Sequence, residues 1–285
     1  ALAAALARLH GGSPEEVCVT NGATEAIYLI AQAFCGSHSA VWIPTFSEYA
    51  DACRLHGHRV EGISSLEKLT GNEGIFWLCN PNNPTGQTWD AATLRRLIAT
   101  YPRKLFVIDQ SYALFTEKKV LSVAETVKLP NVLLLHSMTK CYAVPGLRLG
   151  AVTGSRELLS RIRACRMPWS VNALAVEAGH YLLQHPGEYR MDIQALLTER
   201  RRVTDALEAL GGVEVLPTDT HYFLARLQQG TAAQLKEFLA TRHGLLIRDA
   251  SNFEGLDARY FRIAIQTEEE NNLLIEGIHE WIQNS

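Results

Sequence analysis

The chain has 285 residues, of which 47% are hydrophobic and 20% are charged, and its formal net charge is −3. This composition is typical of a globular protein that buries a large core in one or two domains. The positive residues are scattered and no apolar run reaches the length of a membrane span, so we expect neither a nucleic-acid partner nor a membrane.

The start of the chain and its cysteines give a first indication of the compartment. Residues 1–12 look superficially like a signal-peptide core, but Arg8 and His10 interrupt the apolar run and no small-residue cleavage pattern follows. Their spacing favours an amphipathic helix. The six cysteines have no CxxC spacing, and we interpret them as reduced, mostly buried thiols of a cytoplasmic protein.

As far as Trp169, strand-like and helical segments alternate. The apolar spacing predicts strands at residues 17–20, 40–43, 75–78, 105–108 and 132–135, and helices at residues 22–34, 47–56 and 90–100. Asp90 is the expected N-cap of the third of these helices. Continuous apolar strands are typical of a parallel sheet that helices cover on both faces. The alternation therefore predicts the α/β class, with a three-layer sandwich around a mostly parallel central sheet.

Beyond Trp169 the pattern changes to longer helices and a second group of strands. It predicts helices at residues 171–183, 188–210, 231–242 and 268–282, and strands at residues 213–216, 222–225, 245–248 and 260–265. Gly211 and Gly212 end the second of these helices. This order predicts a smaller C-terminal α+β domain. We place the boundary near residues 184–189, so that residues 1–186 form a large domain and residues 187–285 a small one.

Two turns that follow predicted strands are candidate ligand sites. Gly22 lets the backbone turn tightly, so that the N–H groups of Ala23 and Thr24 open a helix, where a phosphate is favoured. Asn83 lies in a rigid loop at the carboxyl end of a strand, the edge at which ligands bind in open α/β sheets. Either turn can also be plain structure.

Asp109 directly follows a buried strand, where a carboxylate is costly unless it meets a cation. A protonated pyridine nitrogen is such a cation, and Tyr112 can reach the oxygen on the same ring. The alternative is an N-cap aspartate beside a core tyrosine.

Lys140 follows the next strand, and near Arg148 its amine would have a depressed pKa and be nucleophilic. Ser137 and Thr139 offer hydroxyls, and Arg148 a planar fork, to one phosphate dianion. An amine, a phosphate site and an acid for a ring nitrogen are what pyridoxal 5'-phosphate requires. We therefore predict this cofactor and no metal.

Three further residues are candidates for contact with the ring or the substrate. Phe46 can stack on the ring face or be a core aromatic residue. Arg262 lies within a strand-like run and suits an amino-acid carboxylate, and Arg248 can bind a second anion. For each arginine the alternative is a salt bridge to an aspartate or glutamate.

The runs NPNNPTG (residues 80–86) and SxTKxxxxPGLRxG (residues 137–150) resemble the fold-type-I pyridoxal-phosphate enzymes of the aspartate aminotransferase superfamily. The resemblance covers essentially the whole chain. Its nearest branch comprises the histidinol-phosphate aminotransferases and the L-threonine-O-3-phosphate decarboxylases. Residues 44–49, 166–175 and 252–262 favour the decarboxylases.

The resemblance implies a role for every candidate. The catalytic group comprises Lys140, which bonds covalently to the cofactor, Asp109, which pairs with the ring nitrogen, and Tyr112, which with Asn83 binds the ring oxygen. The remaining cofactor contacts are the phosphate-binding residues and the stacking aromatic, namely Ala23, Thr24, Ser137, Thr139, Arg148 and Phe46. The substrate-binding residues are Arg262 for the carboxylate, Arg248 for the substrate phosphate, and Asn83.

The implied function is the decarboxylation of L-threonine O-3-phosphate to 1-amino-2-propanol O-2-phosphate in cobalamin biosynthesis, by a homodimer whose substrate is a small phosphorylated amino acid. A histidinol-phosphate or aromatic aminotransferase is the alternative. A non-catalytic relative ranks below both because Lys140 and Asp109 are present. The resemblance also places an arginine where Gln266 stands, and implies that family members begin several dozen residues earlier.

Overall fold

The described part of the chain forms two β-sheets, one of seven strands and one of four. The computed structural model describes residues 1–71, 74–189 and 191–284. None of the helices in these ranges is long and apolar enough to cross a membrane.

The seven-stranded sheet is formed by the first half of the chain. Its strands are β1 (Val17–Thr20), β2 (His38–Trp42), β3 (Arg59–Ile63), β4 (Ile75–Cys79), β5 (Leu105–Asp109), β6 (Val132–Ser137) and β7 (Gly150–Gly154). The accompanying helices are α1 (Leu2–Leu9), α2 (Gly22–Ala33), α3 (Glu48–Leu55), α4 (Ala91–Thr100), α5 (Val123–Thr126), α6 (Met138–Cys141), α7 (Arg156–Ala164) and α8 (Ala173–Gln184).

The strand order is β1-β7-β6-β5-β4-β2-β3, and β7 runs in the opposite direction to the other six strands. The central strands are buried on both faces. Val107 and Leu133 pack in the same core cluster as α2, whereas Phe106 and Leu134 pack in the cluster that includes α4. The residues on both faces of these strands are therefore apolar. The predicted α/β sandwich with a mostly parallel sheet is confirmed.

The small sheet follows in the C-terminal part of the chain. Its strands are β8 (Val213–Val215), β9 (Tyr222–Leu227), β10 (Arg248–Asp249) and β11 (Tyr260–Ala264), and they pair antiparallel in the order β10-β11-β9-β8. Its helices are α9 (Ile193–Leu210), α10 (Ala232–His243) and α11 (Glu268–Asn284).

The packing of α8 and α9 bears on the domain boundary. Helix α8 contacts α1 beside the large sheet, whereas α9 contacts β8 and α11. The break between these helices is compatible with a boundary near residues 184–189, which stays a prediction.

The structure corrects the predicted elements at several points. Residues 245–247 form no strand, and β10 contains only Arg248 and Asp249. The helix expected from residue 188 begins at Ile193, because Asp192 caps it by accepting a hydrogen bond from the N–H of Ala195 at 3.0 Å; residue 190 of the expected range lies outside the described residues. Strands β3 and β7 were not predicted. The predicted cap of α4 is confirmed, since the Thr93 N–H donates to Asp90 at 2.8 Å.

Candidate active site

The carboxyl ends of the central strands meet at one edge of the large sheet. In register, Cys79 of β4 pairs with Asp109 of β5, and Ser137 of β6 pairs with Gly150 of β7. A cavity of about 250 Å³ opens at this edge. Every residue that the sequence put forward lines it, namely Ala23, Thr24, Phe46, Asn83, Asp109, Tyr112, Ser137, Thr139, Lys140, Arg148, Arg248 and Arg262. The structure thus brings the whole set together.

Asp109 is buried at the end of β5. Its Oδ1 accepts hydrogen bonds from the Ser111 N–H at 2.8 Å and from the Ser111 hydroxyl at 2.5 Å, and its Oδ2 accepts one from the Tyr49 hydroxyl at 2.7 Å. Burial raises the pKa of Asp109, while these hydrogen bonds and the charge of Lys140 act to lower it. A buried acid held by three donors at the floor of the cavity is a suitable partner for a protonated ring nitrogen.

Lys140 lies in α6, immediately after β6, and its side chain is exposed to the cavity. The pKa of Lys140 is lowered by desolvation, then by the positive charges of Arg262 and Arg148, and Asp109 opposes this shift. A lysine with a lowered pKa is more often neutral, and the neutral amine is the nucleophile that attacks an aldehyde.

An anion site surrounds the start of α2. Gly22 has a φ of 78°, and a Cβ on it would lie 2.7 Å from Nη2 of Arg148. A Cβ on Gly150 would likewise lie 2.7 Å from the backbone nitrogen of Ala23. The two glycines therefore let a guanidinium and a strand approach the first turn of α2, where free N–H groups favour a phosphate.

Two hydroxyls complete the anion site. The Ser137 and Thr139 side chains are hydrogen bonded to each other at 2.7 Å, and both line the cavity together with Arg148. This donor set suits a phosphate dianion.

Arg262 reaches across from the small sheet to the large one. Its Nη1 donates a hydrogen bond to Oδ1 of Asn83, and its guanidinium lies 5.3 Å from the ring centroid of Tyr222. The Tyr222 hydroxyl donates to the backbone oxygen of Asn82 at 2.9 Å, and its ring meets Tyr112 edge-on at 5.0 Å. Burial raises the pKa of the Tyr112 phenol, and Arg262 opposes this shift. The carboxylate-binding candidate is thus fixed against the loop that carries Asn83.

Arg248 and Arg262 are direct cross-strand neighbours in the β10–β11 pair. Arg248 is exposed, lies 5.7 Å from the ring centroid of Phe253, and donates to Oδ1 of Asn252 at 3.0 Å. Within residues 1–71, 74–189 and 191–284, neither arginine forms a salt bridge with a carboxylate. Like charges at opposed positions of a sheet repel each other, so this pair is suited to bind an anion.

The sequence analysis did not predict several residues that line the cavity, and the most important of them are Tyr49 and Ser111. Both bind Asp109. Tyr49 lies in the first turn of α3, three residues after Phe46, and no sequence signal pointed to its contact with Asp109. Phe46 meets Tyr49 edge-on at 5.8 Å, so Phe46 packs on the core as well as lining the cavity.

Pyridoxal 5'-phosphate fits this arrangement. Lys140 supplies the amine, Asp109 the acid, and Arg148 with the start of α2 the phosphate site. These three requirements are chemically distinct, and all are met within one cavity.

Comparison with known proteins agrees with this fit. The family model for aminotransferases of class I and II matches residues 1–278. The threonine-phosphate decarboxylase of Salmonella typhimurium is 32% identical over 96% of this chain and 79% of its own length. The histidinol-phosphate aminotransferase of Desulfitobacterium hafniense is 30% identical over 97% of this chain and 80% of its own. The crystal structure of L-threonine-O-3-phosphate decarboxylase from Porphyromonas gingivalis superposes with a TM-score of 0.96 at 39% identity, covering 99% of this chain and 88% of that one.

Gly22→Ala is expected to weaken cofactor binding roughly tenfold, because a Cβ displaces the Arg148 guanidinium from the phosphate site. The positive φ also costs about 1–2 kcal/mol of unfolding free energy in any residue with a side chain. Absorbance titration with pyridoxal 5'-phosphate and urea unfolding measure the two effects. Gly146→Ala is the matched control, since a Cβ there has no heavy atom within 4 Å. Equal cofactor affinity in both variants would contradict the phosphate site.

The lowered pKa of Lys140 predicts that, in cofactor-free protein, its reaction with an amine-acetylating reagent has a pH midpoint below the ordinary value of 10.5. Arg262→Gln removes a neighbouring positive charge, so the amine holds its proton more tightly and the midpoint moves to higher pH. Peptide mass spectrometry across the pH series measures the rate at Lys140. A midpoint that stays fixed in Arg262→Gln would show that Arg262 does not act on this amine.

Proposed function

We propose that this chain, which belongs to the aminotransferase class I and II family, is a carboxy-lyase that converts L-threonine O-3-phosphate into carbon dioxide and 1-amino-2-propanol O-2-phosphate. Its cofactor is pyridoxal 5'-phosphate. When bound, this cofactor withdraws electrons from the substrate's α-carbon, so that one bond to that carbon can break. The product supplies the aminopropanol side chain of cobalamin, and we assign the reaction to cobalamin biosynthesis.

The observation that carries this proposal is the cross-strand pair of Arg248 and Arg262 on the wall of the Lys140 cavity. These two cations are separate from Arg148, which lies against the start of α2. The two arginines are suited to bind a substrate that is itself negatively charged, in addition to the phosphate of the cofactor. L-Threonine O-3-phosphate carries both a carboxylate and a phosphate. It is small enough for Arg248 and Arg262, which lie on adjacent strands, to bind both groups at once.

The arginine pair also bears on which bond breaks. We propose that the substrate phosphate occupies Arg248 and competes for Arg262, so that Arg262 does not hold the substrate carboxylate in place. The carboxylate then leaves as carbon dioxide, its bonding electron pair stays on the α-carbon, and Nζ of Lys140 supplies the proton that this carbon takes up.

The comparisons support this reading, and they also support a second one. The decarboxylase of known structure is 39% identical to the chain, whereas the histidinol-phosphate aminotransferase of Desulfitobacterium hafniense is 30% identical over nearly all of it. In an aminotransferase, Arg262 would hold the substrate carboxylate, and the α-proton would leave in place of carbon dioxide.

Holoenzyme supplied with L-threonine O-3-phosphate and no keto acid is expected to release carbon dioxide over many turnovers, because decarboxylation regenerates the starting cofactor. Trapping of labelled carbon dioxide measures the rate. A single-turnover loss of the aldehyde form of the cofactor, restored by a keto acid, would identify an aminotransferase instead. Lys140→Ala is the negative control for both reactions.

The same assay tests Arg248. Arg248→Gln is expected to raise KM for the phosphorylated substrate by roughly tenfold or more, since hydrogen bonds to charged groups contribute about 1.5–3 kcal/mol. Arg259→Gln is the matched control, because Arg259 immediately precedes β11 but binds Asp257 at 2.8 Å. Equal KM values in the two variants would remove Arg248 from the substrate site.

We also propose that the enzyme is a homodimer. The side chains of Met167, Trp169 and Leu174 are 72%, 96% and 74% exposed, and so many exposed apolar groups within eight residues suit a contact with a second copy. Sedimentation equilibrium is expected to give twice the chain mass of 31.6 kDa. A monomer at the concentrations at which the enzyme is active would contradict the proposal.

A further inference from the structure

Tyr49 is a buried residue at the start of α3 whose hydroxyl bonds to the acid of the site. It is 2% exposed, and its hydroxyl donates to Oδ2 of Asp109 at 2.7 Å. The tyrosine ring is stacked on Trp77 at 5.8 Å and meets Phe46 edge-on at the same distance. The surrounding aromatic packing leaves the hydroxyl little freedom to turn away from the carboxylate.

The three donors are divided unequally between the two oxygens of Asp109. Oδ1 accepts two hydrogen bonds, both from Ser111, whereas Oδ2 accepts one, from Tyr49. A carboxylate oxygen offers about two acceptor positions. The capacity that remains for a ring nitrogen is therefore on Oδ2, the oxygen that Tyr49 already binds.

If the Tyr49 hydroxyl and the ring nitrogen both bind Oδ2 of Asp109, the hydroxyl affects where the proton between the acid and the pyridine lies. That proton can lie on the nitrogen, which gives an ion pair, or on the carboxyl oxygen, which gives two neutral groups. Burial favours the neutral pair, because charges are costly to desolvate. A hydroxyl that donates to the carboxylate stabilises its charged form and so favours the ion pair.

The phenol itself stays protonated. Burial and then the charge of Asp109 raise the pKa of Tyr49 well above its ordinary value of 10.0. Tyr49 therefore keeps the hydrogen that it donates to Asp109.

We propose that Tyr49 is a positioning residue that holds the shared proton on the ring nitrogen of the cofactor by donating its hydroxyl hydrogen to Oδ2 of Asp109. The inference rests on the role of Asp109 in the proposed function, but not on the identity of the substrate. It adds to the site a residue that governs how strongly the ring withdraws electrons.

The test compares Tyr49→Phe with the wild type after reconstitution with pyridoxal 5'-phosphate labelled with ¹⁵N in the ring. The ¹⁵N resonance is expected to move toward the value of an unprotonated pyridine, and the cofactor to bind roughly tenfold more weakly or worse. Tyr101→Phe is the matched control, since it deletes a hydroxyl that donates to the backbone oxygen of Leu69 at 2.7 Å. A resonance in Tyr49→Phe identical to that of the wild type overturns the proposal.

A second measurement keeps both the hydroxyl and the volume of the side chain, and serves if Tyr49→Phe fails to fold. 3-Fluorotyrosine is placed at position 49, and its ¹⁹F resonance is recorded with the cofactor and with the analogue in which carbon replaces the ring nitrogen. The two resonances are expected to differ, because only the true cofactor places a hydrogen-bonding nitrogen on the shared oxygen. Identical resonances overturn the proposal.

Neither measurement needs a substrate, so the outcomes can be separated from those of the function assay. Wild-type enzyme that releases no carbon dioxide, together with the expected ¹⁵N change, would remove the proposed substrate and keep the role of Tyr49. Release of carbon dioxide with an unmoved ¹⁵N resonance would do the reverse.

Discussion

The site depends on one buried carboxylate. Asp109 lies at the end of a central strand, and its burial works against its ionisation. The structure meets that cost with donors from two other places in the chain, the Ser111 turn and the Tyr49 side chain. A buried charge is stable only beside hydrogen-bond donors or an opposite charge. The carboxylate of Asp109 is therefore suited to bind a cation. Under the proposed function, the ring nitrogen of the cofactor is the cation that Asp109 binds.

The rest of the chemistry is distributed between the two sheets. The groups that we assign to the cofactor lie at the carboxyl edge of the large sheet, where parallel strands and the start of α2 leave backbone donors free. The small sheet contributes the arginines on two adjacent strands. Under the proposed function, most of the cofactor groups and the two arginines for the substrate belong to different sheets, which is consistent with relatives of one fold that carry out different reactions on one cofactor.

The sequence predicted best those features that depend on local pattern. The continuous apolar runs of β5 and β6 predicted a sheet covered on both faces, and the polar residues directly after them predicted its functional edge. Strand β3 escaped because it lies at the sheet edge and alternates exposed with covered residues, and β7 because Gly150 and Gly154 weaken a strand pattern. The part played by Tyr49 could not be read from the sequence, because its hydroxyl meets a carboxylate sixty positions away only after α3 has packed against the sheet.

The hydrogen bond from Arg262 to Asn83 joins side chains that are 179 positions apart, one from each sheet. The amide sits on a loop after β4, and the guanidinium sits in β11. In a chimera that exchanged the C-terminal part of this chain for that of a relative, the guanidinium and the amide would have to keep the same relative position and orientation. A recombinant chain therefore has to preserve this side-chain pair as well as the junction between α8 and α9.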